Sequence, residues 1–435
     1  MSTRVVETLG EIRSDWLIDL VASEDATGLL KLLYWDGQEA WIRRTIEMKQ
    51  QDGTTKIVYH PKRIDPTLQR AIHFPTRAIP YESTAALLDA VTQVIKQFSP
   101  LDEPQTSLLG YVVLASWLAE FTPTPTNLAI VGASGPERRQ LLLLLRCLLR
   151  RALTLGEATV EGVCSLPLDL APTLIIERCE PTTQFQRLLE LTNSRDAQII
   201  IKGRLLNASC SKVVCGEESW GGSVPGWPAL EIALPLAPRF VPVLTVAEQQ
   251  RIKDEFQPKL QMFRLQNHKI ARESMVSLYE VPETAREMAS TLVAGVAADE
   301  RLTARLAEPL KKHFLASGRQ SELQNEVITV LLAVSHENKA TVSVAEVTSR
   351  LNQLLEHHGE LLVLQPRAVG SILRTLGFPT QRLGSSSRGM TLLNSVKQRI
   401  HELASARGIL TGYSHPACDV CLRLDPQYLD VESIT

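Results

Sequence analysis

The chain reads as an α/β protein: a largely parallel sheet core, preceded by a small α+β module and a helical brace and followed by a helical connector and a compact three-helix unit. Three observations predict this. Short apolar strand candidates alternate with helical stretches between residues 127 and 244. A glycine turn joins the first of those strands to a long apolar helix. Helical apolar spacing then runs almost unbroken over residues 245–338, ahead of a last folded unit over 339–410.

Residues 1–72 form the N-terminal module. Trp16–Leu20 and Ala26–Leu33 carry short helical patterns, whereas Gln38–Met48, the turn Asp52-Gly53 and Thr55–Tyr59 read as a hairpin. Trp16, Trp35 and Trp41 are expected in the core, with base stacking as the alternative. Residues 73–126 are a helical brace: Ser83 opens a helix to Phe98, and Gln105–Phe121 carries an apolar stripe through Leu108, Val112, Ala115 and Leu118.

Residues 127–244 are the core. Leu128–Val131 is a buried strand, and Gly132-Ala-Ser-Gly135 turns the chain into an apolar helix, the layout of a phosphate-binding loop. A working loop needs glycine, lysine and a hydroxyl at the three places where this chain has Glu137, Arg138 and Arg139. Glu137 sets a carboxylate against phosphate, Arg138 keeps charge without the compact reach of lysine, and Arg139 has no oxygen for magnesium. A second strand, Thr173–Ile176, ends in Glu177-Arg178, where Glu177 is an imperfect metal holder and Arg178 cannot act as a base. Gly132, Gly135, Arg138, Arg139 and Glu177 are therefore the candidate nucleotide-contacting residues of a degenerate loop. No catalytic residue and no cofactor are expected. Further strands are read at Ala197–Ile201, Lys212–Cys215 and, after Pro225-Gly-Trp-Pro228, Ala229–Leu236. Asn193 or Ser194 is read either as a phosphate sensor or as a helix-ending turn, and no arginine finger precedes Arg239.

Residues 245–338 are the lid or connector. In 339–410, Val344–His357, Pro366–Leu376 and Leu392–Ala406 are helices, with the polar segment Gly377–Gly389 between the second and third. That arrangement is winged-helix-like, a helix reading a groove while loop residues hold phosphate. Arg367, Arg374, Arg382, Arg388, Lys397 and Arg399 are the candidate DNA contacts, with protein docking or a structural role as the other reading. Residues 411–435 are a tail in which His415, Cys418 and Cys421 offer three metal ligands and no fourth; the expectation is no metal.

With 435 residues and 44 % apolar content, two to four domain cores can be buried. A net charge of −2 argues against a protein that coats nucleic acid over its whole surface. Seven scattered cysteines make no disulfide framework, every apolar run is broken by arginine, and the N-terminus is not a secretion signal, so no membrane contact and a cytoplasmic location are expected.

Phe74-Pro-Thr, Ile79-Pro-Tyr-Glu-Ser-Thr84, Leu128–Gly135, Thr173–Glu177, Leu189–Arg195 and the helical unit ending near Gly408 together resemble the helicase-like ATPases of bacterial mobile elements and phages, relatives of the primase-associated helicases. The resemblance spans residues 74–408. It implies a P-loop/AAA-like core and an oligomer, or a catalytic protein partner, working on DNA. In such relatives the loop binds ATP and magnesium, and this chain departs at Glu137, Arg138, Arg139, Glu177 and Arg178. The expectation is a pseudo-ATPase scaffold in a mobile-element, replication or defence system. An active DNA-dependent ATPase with unusual or partner-supplied residues and a winged-helix DNA-binding regulator are the alternatives.

Overall fold

In the computed structural model the described residues are 2–24, 29–49, 55–178, 183–195, 198–201, 204–207, 209–217, 229–235, 240–274, 278, 281, 283–337, 339–360, 362–378, 380–383, 387–410, 415 and 418–424. The chain divides into two compact units, residues 1–314 and 315–435.

The first unit opens with β1 (Ser2–Thr8), β2 (Gly10–Ile12), β3 (Leu17–Ala22), β4 (Leu30–Trp35), β5 (Ala40–Arg43), β6 (Ile46–Lys49) and β7 (Thr55–Pro61). They make two small sheets, β1-β7-β6 and β2-β3-β4-β5. The module is therefore β-rich, and the helical readings of Trp16–Leu20 and of Leu30–Leu33 are corrected, while residues 26–28 of the second lie outside the described residues. The cause is burial on both faces. Leu17 and Val21 enter one apolar cluster while Ile18 and Leu20 enter the other, so the run shows no alternation and imitates a buried helix. The expected hairpin is split: Ile46–Lys49 does pair with β7, but β5, with Trp41, pairs with β4. The Asp52-Gly53 turn lies outside the described residues. Trp35 is buried, Trp16 is half-buried, and Trp41 is exposed with its ring stacked on Tyr34 at 5.6 Å.

A short helix α1 (Pro66–Ala71) leads to α2 (Thr84–Phe98) and α3 (Glu103–Ser116), the brace. Ser83 caps α2, accepting from the Ala86 N–H, and Asp102 with Gln105 forms a capping box on α3.

The core comprises β8 (Asn127–Val131), α4 (Pro136–Leu148), β9 (Ala152–Leu155), α5 (Val160–Ser165), β10 (Thr173–Ile176), α6 (Thr183–Leu191), β11 (Gln198–Ile201), β12 (Arg204–Asn207), β13 (Lys212–Gly216) and β14 (Leu230–Ala233). Five strands form an all-parallel sheet in the order β14-β8-β13-β10-β9. Leu128 and Ile130 face one apolar cluster, Ala129 and Val131 the other, so the sheet is covered on both sides. One expected strand is corrected. The stretch Gln198–Ile201 pairs antiparallel with Arg204–Asn207 in a separate ribbon, outside the sheet. Its place in the sheet falls to β9, which sequence reading missed because only three residues separate it from α4.

Helices α7 (Val246–Glu273), α8 (Glu283–Ala294) and α9 (Glu300–Ser335) follow. α7 packs on α4, and Phe256, Leu260 and Phe263 join the core cluster, so this helix is part of the body of the first unit.

A buried ionic cluster ties these layers together. Asp19 of β3 is 1 % exposed and meets Arg150 at 3.3 Å, Arg264 at 2.9 Å, Gln261 at 3.1 Å, and Arg151. Glu120, after α3, meets Arg150 at 2.8 Å and Arg264 at 2.5 Å. Burial alone would raise the Asp19 carboxyl, but Arg151, Arg150 and Arg264 overrule it and hold it below the usual carboxylate range.

The second unit uses the end of α9, then β15 (Thr341–Ser343), α10 (Val344–His357), α11 (Pro366–Thr375), β16 (Gln381–Leu383), β17 (Ser387–Thr391), α12 (Asn394–Ala406) and α13 (Asp419–Leu424). The sheet order β15-β17-β16, with α10 and α11 between its first two strands in the chain, is winged-helix-like. The polar segment after α11, read as a candidate wing, is an antiparallel hairpin, Gln381–Leu383 against Ser387–Thr391. The end of α9 adds a core helix that the sequence placed in the connector, with Val327, Ile328, Leu331 and Val334 buried in this unit. Gly389 of β17 is required for this packing. A Cβ there would lie 2.2 Å from the Val342 carbonyl and 2.4 Å from Leu383. Gly389→Ala is expected to destabilise the second unit by about 1–3 kcal/mol, the usual range for overpacking. A lowered denaturant midpoint for residues 315–435, with the first unit unmoved, is the observation to look for.

Candidate functional site

The loop between β8 and α4 sits at the carboxyl edge of the parallel sheet, where open α/β folds place ligands. It is stitched to both neighbouring strands. The Gly132 N–H donates to the Gly216 carbonyl at 3.0 Å, and the Leu234 N–H donates to the Val131 carbonyl at 2.7 Å. Gly132 has φ +142°, and a Cβ on it would lie 2.9 Å from Leu234. Glycine is therefore needed at this position.

Gly135 stands at the start of α4 and contributes no side-chain cap. Pro136 has no N–H, which removes one donor from the turn that would cradle phosphate. Glu137, in the first helical turn, places a carboxylate oxygen 3.1 Å from where a Gly135 Cβ would be. The positive end of the helix is thus met by the chain's own anion. Arg138 is 7 % exposed, and its Nη1 donates to the Gly132 carbonyl at 3.0 Å and the Gly216 carbonyl at 3.3 Å. Its guanidinium bridges the ends of β8 and β13. Arg139 is exposed.

Beside the loop lies a cleft of about 630 Å³, lined among others by Ser134, Glu157, Glu177, Arg178 and Glu217. Glu177 follows β10, is half-buried, and donates its N–H to the Leu155 carbonyl at 2.9 Å; Arg178 is exposed. With Arg138, the lining holds three carboxylates and two guanidiniums, a poor electrostatic match for a triphosphate. Cys215 borders the same cleft. Burial pushes its thiol up to about 12, with Glu177 adding to the shift and Arg138 opposing it, so it stays a neutral packing group.

Asn193 does not face this cleft. It is buried and accepts a 2.6 Å hydrogen bond from Asn127, at the opposite end of β8 from the loop, so the phosphate-sensor reading is corrected in favour of a structural turn. Residues 225–228 and Arg239 lie outside the described residues.

In the second unit, Arg367 and Arg374 of α11 and Arg388 of β17 line one groove of about 560 Å³. Arg382 is the cross-strand partner of Arg388. All four are exposed, and among the described residues none forms an ion pair. Arg399 of α12 lies against Gly377, where a Cβ would be 2.5 Å from its guanidinium, at the turn that ends α11. Lys397 is placed elsewhere: its carbonyl accepts from His401 Nδ1 at 2.7 Å, beside a His/Cys cluster and away from the groove. Sequence reading could not group these six side chains, because hairpin register decides which wing arginine turns toward α11.

The fold is thus α/β, a parallel sheet flanked by helices in the P-loop/AAA-like arrangement, with a small β-rich N-terminal module and a C-terminal helical unit. No family profile matches the chain, and no curated protein does. Among solved structures it is similar to a full-length MCM homolog from Methanopyrus kandleri, at 12 % identity over 68 % of this chain and 75 % of that one, with a TM-score of 0.35. It is also similar to the C-terminal region of NrS-1, at 11 % identity over 86 % of this chain and 96 % of that one, with a TM-score of 0.32. A third similarity is to CDC6P from Pyrobaculum aerophilum, at 12 % identity over 72 % and 98 % respectively, with a TM-score of 0.22. No helix among the described residues is long and apolar enough to cross a membrane.

Proposed function

We propose that this protein is a catalytically degenerate, ATPase-like scaffold that assembles with itself or a partner on DNA, of the kind used by mobile-element, replication or defence systems. The observation that carries the reading is the phosphate-loop position filled from within. Glu137 lies over the helix start and Arg138 is bonded to two carbonyls, so both the anion site and its cation already have partners. Triphosphate binding would have to displace a carboxylate and break two charge-assisted hydrogen bonds, each worth about 1.5–3 kcal/mol. The cleft then serves to hold surfaces in position, and the groove at Arg367, Arg374 and Arg388 supplies contact with a phosphate backbone.

The test is nucleotide turnover by the purified chain with magnesium, with and without DNA, together with melting in millimolar ATP. No turnover above buffer and no ATP-dependent rise in midpoint are expected. Hydrolysis that disappears in Arg138→Ala or Glu177→Gln would sink the scaffold reading in favour of an active DNA-stimulated ATPase. Sequence-selective duplex binding by residues 340–410 alone would favour a regulator instead.

A further inference from the structure

We propose that the second unit holds a structural zinc ion on His336, His401, Cys418 and Cys421. Their ligand atoms all lie within 4.8 Å of one another. His336 Nε2 stands 3.0 Å from His401 Nε2 and 3.1 Å from Cys421 Sγ, and Cys418 Sγ stands 3.3 Å from His401 Nε2. A tetrahedral zinc ion with bonds of about 2.0–2.1 Å to nitrogen and about 2.3 Å to sulfur sets edges of roughly 3.3 Å between nitrogens and roughly 3.6 Å between nitrogen and sulfur. These three contacts need to lengthen by only a few tenths of an ångström to become edges of such a sphere, and the wider pairs, up to 4.8 Å, would close on the ion.

The histidine tautomer suits a metal ligand. His401 Nδ1 faces the Lys397 carbonyl at 2.7 Å and must donate to it, which leaves a lone pair and no proton on Nε2. That lone pair points at a second imidazole nitrogen and a thiol, and a backbone carbonyl fixing the far nitrogen is the usual support of a metal-bound histidine. His401 is 1 % exposed and Cys421 0 %, while His336 and Cys418 are half-buried, so the site has a buried floor and a partly open side. The Cys-x-x-Cys spacing puts both sulfurs on one turn at the start of α13, and the Leu422 N–H closes that turn on the Cys418 carbonyl at 3.1 Å.

The sequence offers His415 as the third ligand; the fold replaces it with His401 and adds His336. His415 is exposed, with its ring 5.3 Å from that of His336. Four protein ligands close the coordination sphere, so the ion is structural and not catalytic. On binding, two thiols release their protons and the two thiolates balance the ion's charge. The ion would pin α13 and the turn after α9 to α12, the helix that carries Arg399.

The experiment uses the untagged full-length chain, purified under reducing conditions without chelator. Elemental analysis is expected to give one zinc per chain. Cobalt replacement is expected to give the intense visible bands of a tetrahedral site and a thiolate charge-transfer band. Alkylation of Cys418 and Cys421 should be slow with zinc and fast after chelation. Cys418→Ser/Cys421→Ser and His401→Ala should each lose the metal, while His415→Ala keeps it. Because the cobalt spectrum and the alkylation are read on the unaltered chain, a variant that fails to fold leaves the answer intact. Absence of zinc after reconstitution, an octahedral cobalt spectrum, or retention of one zinc by the double cysteine variant overturns the assignment.

Discussion

Replacement of Asp19 by asparagine is expected to lower the melting midpoint of the first unit by something of the order of 10 °C. In the native protein three guanidiniums, Arg150, Arg151 and Arg264, share two carboxylates, Asp19 and Glu120. Asparagine preserves shape but leaves those three cations facing one carboxylate that is itself partly open to solvent. Removing one partner of a buried ionic group is destabilising by about 3–5 kcal/mol, because the remaining charges stay desolvated. At about 2–4 °C per kcal/mol for a unit this large, the midpoint falls well outside error. The pH dependence has a definite sign. The folded carboxyl lies below its unfolded value, so its contribution is complete above the unfolded pKa of about 4 and is lost as the pH falls through the folded value. The gap between the native protein and Asp19→Asn should therefore stay constant from neutral pH to about 5 and narrow in stronger acid. A midpoint that moves by less than about 2 °C at neutral pH would mean that this cluster does not hold module, brace and core together.

Removal of the groove arginines should produce the largest change in binding. Arg367→Ala/Arg374→Ala/Arg388→Ala takes away three exposed cations from one face of the winged helix. If each reaches a phosphate, the triple variant loses about three released counterions, and the slope of log affinity against log salt becomes shallower by roughly 2.7 on duplex DNA. At low salt the affinity should fall by about 100-fold, a loss of roughly 3 kcal/mol. Fluorescence anisotropy across a salt series measures both quantities. The Lys397→Ala variant is the control, since that residue stands beside the His/Cys cluster. Equal salt slopes for the native protein and the triple variant would remove DNA from this groove and leave it to a protein partner.

The strand and loop at Asn127–Gly135, the strand Thr173–Ile176 and the helix start at Ser83 could be read from the sequence because each depends on neighbouring residues. Apolar runs bounded by turn chemistry, and acceptors placed three residues before an N–H, carry their meaning locally. The departures at Glu137, Arg138 and Arg139 were visible for the same reason. What those side chains do was not visible: the inward turn of Arg138 requires the Gly216 carbonyl, 78 residues away. Asp19 looked like one polar residue in an apolar stretch, and its three arginines come from two other parts of the chain.

The second unit divides in the same way. Cys418 and Cys421 announce themselves by spacing, but His336 lies 85 residues from Cys421 and nothing in its own surroundings marks it. By itself, then, the sequence determined the α/β class, the phosphate-loop layout with its altered residues and the winged unit's α11, all set by short-range periodicity and turn chemistry. Only the tertiary structure decided that β3 and β4 are strands, that Gln198–Ile201 leaves the sheet, that Asn193 faces away from the loop, and which histidines meet the cysteines. Those outcomes depend on which buried surfaces and charges meet after the chain closes on itself, a quantity that no window of neighbouring residues contains.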